Sequence, residues 1–391
     1  MPHCPPVDNY RFEGDPNSNL PAFPMDLYMC SQCGHAQLLD VVDPDILYGN
    51  YIYTSRSSSD LDGHFENYAK KLLSYAGLTP SSLVIDIGSN DGLLLSKFKK
   101  LGCVVQGVDP ARAIAIIARE NGIPTVNDFF TPAVVTELLD TVGTADLVCA
   151  NNVFSHTDDL RQFAECARAI LKPQGIFVFE VSYLRDMIEN KVIDYIYHEH
   201  LAHHSLQPLK LFFESLGMRL FDVERIPTKG GSIRGYVSLE HARWKEDAVV
   251  SNLIEQEVSV RLYDADRYRA LQNEFELLKT NVREILYESR VRGNTIASYG
   301  ASATTTVLNE LLSVNEHLSF IVDDNTERHG RLSPGHKIKV HPPKQLLSKM
   351  PEYVFISAWR FAKEIISRNS EYIARGGKFL VPLPKLEVFQ K

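Results

Sequence analysis

No stretch of this 391-residue chain strings together the ~18 apolar residues that a membrane-spanning helix needs. A basic-then-apolar leader is also missing from the N-terminus, so the sequence predicts no signal peptide and a cytoplasmic location. Basic residues do not dominate. Lys and Arg number 41 against 49 Asp and Glu, a formal net charge of −8, which argues against non-specific nucleic-acid binding. The six cysteines form no disulfide framework. Cys103, Cys149 and Cys166 lie in apolar strand or helix contexts and read as small core residues. Cys4, Cys30 and Cys33 sit in a polar, proline-rich stretch, which in a reducing compartment points to metal rather than disulfides. The dinucleotide fingerprint G-x-G-x-x-G is likewise absent where it would be expected, after the first strongly apolar strand.

What stands there instead is Leu83-Val84-Ile85-Asp86-Ile87-Gly88-Ser89-Asn90-Asp91-Gly92, a buried strand running into a glycine turn and a helix. Seventeen residues after Gly92, the strand Val104–Val108 ends in Asp109. Ligands of open parallel sheets sit at the carboxyl ends of such strands. Glycines let the backbone come close to a ligand because no Cβ intrudes, and Asp109 is placed to accept hydrogen bonds from two ribose hydroxyls. The spacing is D-x-G-x-x-x-G, with Asp86 and Asp91 close by. Acidic groups repel a pyrophosphate and suit a cation. The pattern resembles the S-adenosylmethionine (SAM) loop of class I methyltransferases, which makes Asp86, Gly88, Asn90, Gly92 and Asp109 the expected cofactor contacts. Asp128 and Phe129, after a short third strand at Pro124–Val126, join them as the acid and aromatic that hold an adenine. Asn151 follows the strand Asp146–Ala150.

Residues 80–240 alternate strands and helices, the signature of a doubly wound sheet. The strands expected are Leu83–Ile87, Val104–Val108, Asp146–Ala150, Gly175–Val181 and Gly235–Leu239. Residues 241–290 hold no Pro and no Gly, and apolar residues at helical spacing predict one long or two shorter helices. A second unit starts at Thr295–Gly300 and continues through buried strands at 320–324, 353–357 and 378–382. It lacks the spaced glycines of the first, so no cofactor is expected there. The fold class is therefore α/β in three parts: a loop-rich N-terminal domain (1–58), a Rossmann-like domain (59–240), and a helical linker with a second Rossmann-like domain (241–391).

The densest chemistry lies in Tyr195-Ile-Tyr197-His198-Glu199-His200-Leu-Ala-His203-His204. The sequence H-E-H lacks the H-E-x-x-H spacing that puts two histidines on one helical face for a metal. It suits general acid/base work, in which a histidine held by a carboxylate and a phenol takes a proton from a carbon acid. His156, after the strand Asp146–Ala150, faces the same cleft. Lys229, Ser232 and Arg234 in Pro227-Thr-Lys-Gly-Gly-Ser-Ile-Arg234 form a glycine turn suited to an anion, or an ordinary tight turn with surface charges. The knuckle Cys30-x-x-Cys33-Gly34 offers two thiolates of a zinc site. Upstream only Cys4 is available, with Val7 where its partner would stand, so His3, His35 or water completes the shell, or no metal is bound.

These segments together resemble the SAM-dependent sugar C-methyltransferases that act on nucleotide-linked keto-deoxysugars. The matching pieces are C-S-Q-C-G with H-A-Q-L-L-D-V-V-D-P, Y-I-Y-T-S at 51–55, D-I-G-S-N-D-G, N-N-V-F-S-H, Y-H-E-H-L, P-T-K-G-G-S-I-R, Y-G-A-S-A, V-D-D-N and V-P-L-P. The resemblance implies a zinc-binding N-terminal domain, a central SAM domain and a Rossmann-like C-terminal domain, with the substrate in a cleft among them. It implies His200 as general base, with Tyr197 and Glu199 from the same motif and Tyr53 lining the active site. The expected reaction is C-methylation of a nucleotide-linked 4-keto-deoxysugar at C3 through an enolate. A SAM-dependent O- or N-methyltransferase of a small metabolite, or a non-catalytic binding protein with a degenerate methyltransferase core, are the alternatives.

Overall fold

The computed structural model describes residues 3–48, 54–57 and 59–391. An antiparallel ribbon comes first, with Leu27–Met29 (β1) paired to Ala36–Leu38 (β2). The turn between them is closed by the Gly34 N–H donating to the Cys30 carbonyl at 2.9 Å. The helix Ser59–Ala76 follows. It buries Phe65, Tyr68, Ala69 and Leu72, the three-and-four spacing of a single apolar face.

The central sheet contains Leu83–Ile87 (β3), Val104–Val108 (β4), Thr125–Val126 (β5), Ala145–Asn151 (β6) and Leu171–Ser182 (β7). After the two-residue Ala202–His203 (β8), which belongs elsewhere, Met218–Ile226 (β9) and Ser232–Leu239 (β10) complete it. The order is β5-β4-β3-β6-β7-β10-β9, parallel from β5 to β7, with β10 antiparallel to both its neighbours. β3 is buried at every position, as expected of a strand covered by helices on both faces. One face carries Phe154, Phe177, Phe179 and Phe213, and the other Tyr68, Leu94, Phe98 and Tyr236. The sequence reading omitted β9. Arg219, Asp222, Glu224 and Arg225 interrupt its apolar run, because an edge strand exposes one of its faces.

β8 pairs antiparallel with β2, so the N-terminal ribbon takes its third strand from residues two and three positions after His200. The linker is two helices, Ala248–Ser259 and Ala265–Val291. They separate at Arg261, whose φ is 57°, and Asp264 caps the second by accepting the Asp266 N–H at 2.8 Å. The first helix packs Val250 and Leu253 into the central-sheet core, whereas the second gives Phe275, Val282 and Leu286 to the C-terminal core.

The last sheet has Ile296–Tyr299 (β11), Phe320–Val322 (β12), Val340–His341 (β13), Tyr353–Ile356 (β14), Lys378–Val381 (β15) and Glu387–Phe389 (β16), in the order β13-β12-β11-β14-β15-β16. Only β16 runs antiparallel. It is exposed throughout and so carries no apolar signal. Among the described residues no helix is long and apolar enough to cross a membrane.

Candidate active site

A cavity of about 530 Å³ opens at the carboxyl ends of the central strands. Asp86, Gly88, Asn90, Asp109, Asp128, Phe129 and Asn151 all line it. Gly88 has a φ of 65°, and a Cβ there would lie 2.3 Å from Val153 Cγ2, so only glycine fits. Gly92 sits behind the cavity, as N-cap of the helix Leu93–Lys100. The Asp109 carboxylate accepts the Asn90 and Ala111 N–H groups at 2.8 and 2.9 Å. One bond on each oxygen leaves acceptor capacity for a ligand.

Burial pushes Asp86 well above the usual carboxylate range, and the nearby Asp109 adds to this. Asp109 is itself raised by burial, against its two backbone donors. A cation arriving beside this pair favours both in their charged form. Both amide atoms of Asn151 are buried without a hydrogen-bond partner among the described residues, which is costly unless a ligand meets them. A glycine cradle, two acids short of a counter-charge and an orphaned amide fit a sulfonium nucleoside carrying an amino acid.

Tyr197, Glu199, His200 and His156 line the same cavity. His200 Nδ1 lies 2.7 Å from the Tyr195 carbonyl. A carbonyl only accepts, so the proton sits on Nδ1 and Nε2 carries the lone pair. The Tyr197 and His156 rings stand 4.1 and 5.1 Å from the His200 ring. Burial, then His156, hold His200 well below the usual imidazole range, so it is neutral. Burial takes His156 down to about 3. Glu199 moves the other way: burial, with Asp8 adding and Lys229 opposing, pushes its carboxyl up to about 8. The site therefore holds a neutral imidazole and a protonated carboxylic acid together near pH 7. His198 faces elsewhere, with its Nε2 3.1 Å from the Pro24 carbonyl. Tyr53 lies outside the described residues.

The glycine turn divides its three predicted contacts. Lys229, at a φ of 54°, is an exposed residue that lines the cavity. Desolvation lowers its ammonium against the pull of Glu180 and Glu199. Ser232 and Arg234 do not reach the cavity, which corrects the sequence expectation. The Ser232 hydroxyl donates to the Thr228 carbonyl at 3.1 Å. Arg234 donates to Glu180 at 2.8 Å and to Glu224 at 3.3 Å, with its guanidinium 4.2 Å from the Tyr68 ring centroid. Successive residues of a strand face opposite sides, and Arg234 faces the helix Ser59–Ala76. Glu180, which the sequence reading missed, also takes Thr228 Oγ1 at 3.2 Å and His64 at 3.3 Å, and so fixes the turn that presents Lys229. Its only signal was an acid inside an apolar strand. Asn152, next to Asn151 in the N-N-V-F-S-H segment, also lines the cavity, at a φ of 57°.

The three-cysteine metal set also needs correction. Cys4 is 0% exposed, bridges Phe23, and packs with Val7, Met25 and Leu38. No group of three or more His, Cys, Asp or Glu side chains suited to a metal occurs among the described residues. Cys30 and Cys33 do converge. Backbone N–H groups of Cys33 and Gln32, and the Cys33 thiol, hold Cys30 below its ordinary value. The pair fits one half of a tetrahedral zinc site and stands outside the cavity lining.

Three family profiles match the chain in tandem. "Putative zinc binding domain" covers residues 1–48, "Methyltransferase domain" 61–223 and "C-methyltransferase C-terminal domain" 227–384. The C-methyltransferase NovU of Streptomyces niveus is 32% identical over 367 residues, spanning 94% of this chain and 87% of that protein. A ubiquinone biosynthesis O-methyltransferase of Bradyrhizobium sp. (strain ORS 278) is 35% identical over 117 residues, 29% of this chain and 44% of that one. Among solved structures, the magnesium protoporphyrin IX methyltransferase of Synechocystis PCC 6803 with bound SAH is 13% identical, with a TM-score of 0.37 over 50% of this chain and 91% of that one.

Proposed function

This chain belongs to the C-methyltransferase family that its motifs resemble and is a SAM-dependent methyltransferase; from that premise we propose that it methylates carbon 3 of a nucleotide-linked 4-keto-deoxysugar through an enolate formed by His200. One observation carries the reading. The glycine loop with Asp86, Asp109 and Asn151, and the trio Glu199, His200 and Lys229, line a single continuous cavity.

Asp86, Asp109 and Asn151 would hold the cofactor, with Asp128 and Phe129 at its adenine. When bound, SAM supplies an electrophilic methyl group on a sulfonium. His200 Nε2 removes the proton from the carbon beside the ketone, and the C–H electron pair moves into the enolate, whose charge rests on oxygen. The Glu199 carboxylic acid donates a hydrogen bond to that oxygen, and the Lys229 ammonium draws the substrate's negative charge into the cavity. The enolate carbon would form its new C–C bond to that methyl group as the S–CH3 electron pair returns to sulfur, leaving S-adenosylhomocysteine. Holding both reactants in one cleft supplies much of the rate. Zinc in the Cys30–Cys33 ribbon has no part in these steps.

His200→Asn is expected to lower turnover at least ~10²-fold, the scale for losing a general base, while calorimetry still registers SAM binding. Near-normal turnover excludes the role. Product is read by mass spectrometry on a panel of nucleotide 4-ketosugars. Absence of solvent deuterium uptake α to the ketone moves the reading to a hydroxyl or amine acceptor.

A further inference from the structure

The residue that opens the catalytic segment points away from the cavity. Asp194 is fully buried and is not among the cavity-lining residues. Arg360 Nη1 donates to its two carboxylate oxygens at 2.9 and 2.8 Å, and Trp359 Nε1 donates to one of them at 3.1 Å. These partners follow β14 in the other α/β unit, 165 and 166 positions along the chain.

The next residue connects that grip to the base. The Arg360 guanidinium lies 4.9 Å from the Tyr195 ring centroid. The Tyr195 ring in turn stacks on His200 at 5.9 Å and 13°, and its carbonyl accepts the hydrogen bond from the His200 Nδ1–H. The apolar side of the segment follows the same path. Ile193, Ile196, Tyr197 and Leu201 join the core built by Val307, Leu308 and Phe355. The segment therefore rides on the C-terminal unit, although the cofactor crevice belongs to the central one.

We propose that Arg360 and Trp359, by gripping Asp194, are positioning residues that hold the Tyr195 carbonyl where it fixes the His200 tautomer. A buried ion pair adds little stability over well-packed apolar residues. What a two-oxygen grip adds is placement. Displacing the Tyr195 carbonyl frees Nδ1, and the ring then presents an N–H in some molecules where the reaction needs a lone pair. The other polar groups around the ring are Tyr197, His156, Glu199, Lys229 and His203.

The inference rests on the proposed role of His200, and the test separates the two. The full-length enzyme is compared with Arg360→Met, Arg360→Lys, Trp359→Phe and the double variant Asp194→Asn/Arg360→Met. The readouts are deuterium uptake from solvent by a thymidine diphosphate 4-keto-6-deoxyhexose, the pH profile of that exchange, and SAM affinity by calorimetry. Arg360→Met is expected to slow exchange about tenfold to a hundredfold, the scale of a misplaced reacting group, with SAM affinity and the ketosugar KM within about twofold. Its acidic limb moves to higher pH, toward the ordinary imidazole value, because a loosened ring meets water. Arg360→Lys recovers part of the rate, and Trp359→Phe loses about twofold, one hydrogen bond's share.

The double variant removes the buried charge together with its cation. It stays slow if placement matters, and wild-type exchange in it overturns the inference. So does a wild-type rate and pH profile in Arg360→Met or, should that variant not fold, in both Arg360→Lys and Trp359→Phe. If the wild-type enzyme itself takes up no deuterium, the enolate reading falls first and takes this one with it.

Discussion

The two α/β units build the same turn and use it differently. In each, a buried strand ends at a glycine with positive φ, 65° at Gly88 and 119° at Gly300. In each, an acid at the end of the next strand reaches back to the turn. Asp109 accepts the Asn90 N–H at 2.8 Å, and Asp323 accepts the Ala301 N–H at 2.5 Å. Above the first turn lies the 530 Å³ cavity. Above the second lies the chain's own N-terminal segment. Tyr10, 3% exposed, packs with Ala301, Ile321 and Val340. Its hydroxyl stands 3.0 Å from Thr306 Oγ1, which donates to the Val7 carbonyl at 2.9 Å. A glycine turn with a facing acid is therefore a means of joining strand to helix. It becomes a ligand site only where the space over it stays open.

The strongest way to break this comparison is to remove the plug. Tyr10→Ala is expected to cost about 3–5 kcal/mol in urea unfolding, the range for deleting a buried aromatic, with SAM affinity unchanged. An unaltered unfolding midpoint shows that Tyr10 fills nothing structural. The next contrast is paired. Gly88→Ala and Gly300→Ala each meet a positive φ and a close neighbour, Val153 Cγ2 at 2.3 Å or Thr305 Cγ2 at 2.7 Å. Each is expected to lose about 2–4 kcal/mol of stability from strain and overpacking, but only Gly88→Ala weakens SAM binding. Equal loss of SAM affinity in both erases the distinction.

A milder pair is Asp109→Asn, expected to weaken SAM about tenfold, and Asp323→Asn, expected to leave calorimetric SAM affinity intact. The smallest effect crosses between the units. Asp8, in the plugging segment, helps raise Glu199 to about 8, and Glu199 works as an acid. Activity should fall as pH rises through about 8, and Asp8→Asn should move that limb to lower pH. The stability sign follows from the same shift. Folded Glu199 keeps its proton up to about 8 where the ordinary value is 4.5, so its contribution is present below 4.5 and is lost as pH rises toward 8. A basic limb unmoved by Asp8→Asn rules out the crossing.

Local chemistry was readable along the chain, and pairings at a distance were not. The strand, turn and acid of the cofactor crevice lie within 27 residues, from Leu83 to Asp109, and each announces itself by burial, φ or position. The Tyr197–His200 motif is equally compact. Arg234 was misjudged because its partner Glu180 lies 54 positions away, and a strand residue's facing depends on register. Cys4 was misjudged for a similar reason. A thiol in a proline-rich stretch reads as a ligand until the cores that cover it, from Met25, Leu38 and Met187, are in view. Tyr10 carried no signal at all, since nothing near it in sequence indicates the helix start it covers.

The third strand of the N-terminal ribbon has an implication for engineering. Because Ala202 and His203 are borrowed from the stretch just past the proposed base, residues 1–48 are not a self-contained cassette. A chimera that grafts only that segment from a relative asks a foreign ribbon to accept the native 202–203 edge, and any mismatch is transmitted two residues upstream to the imidazole. Recombination boundaries in this scaffold should carry both stretches from the same parent.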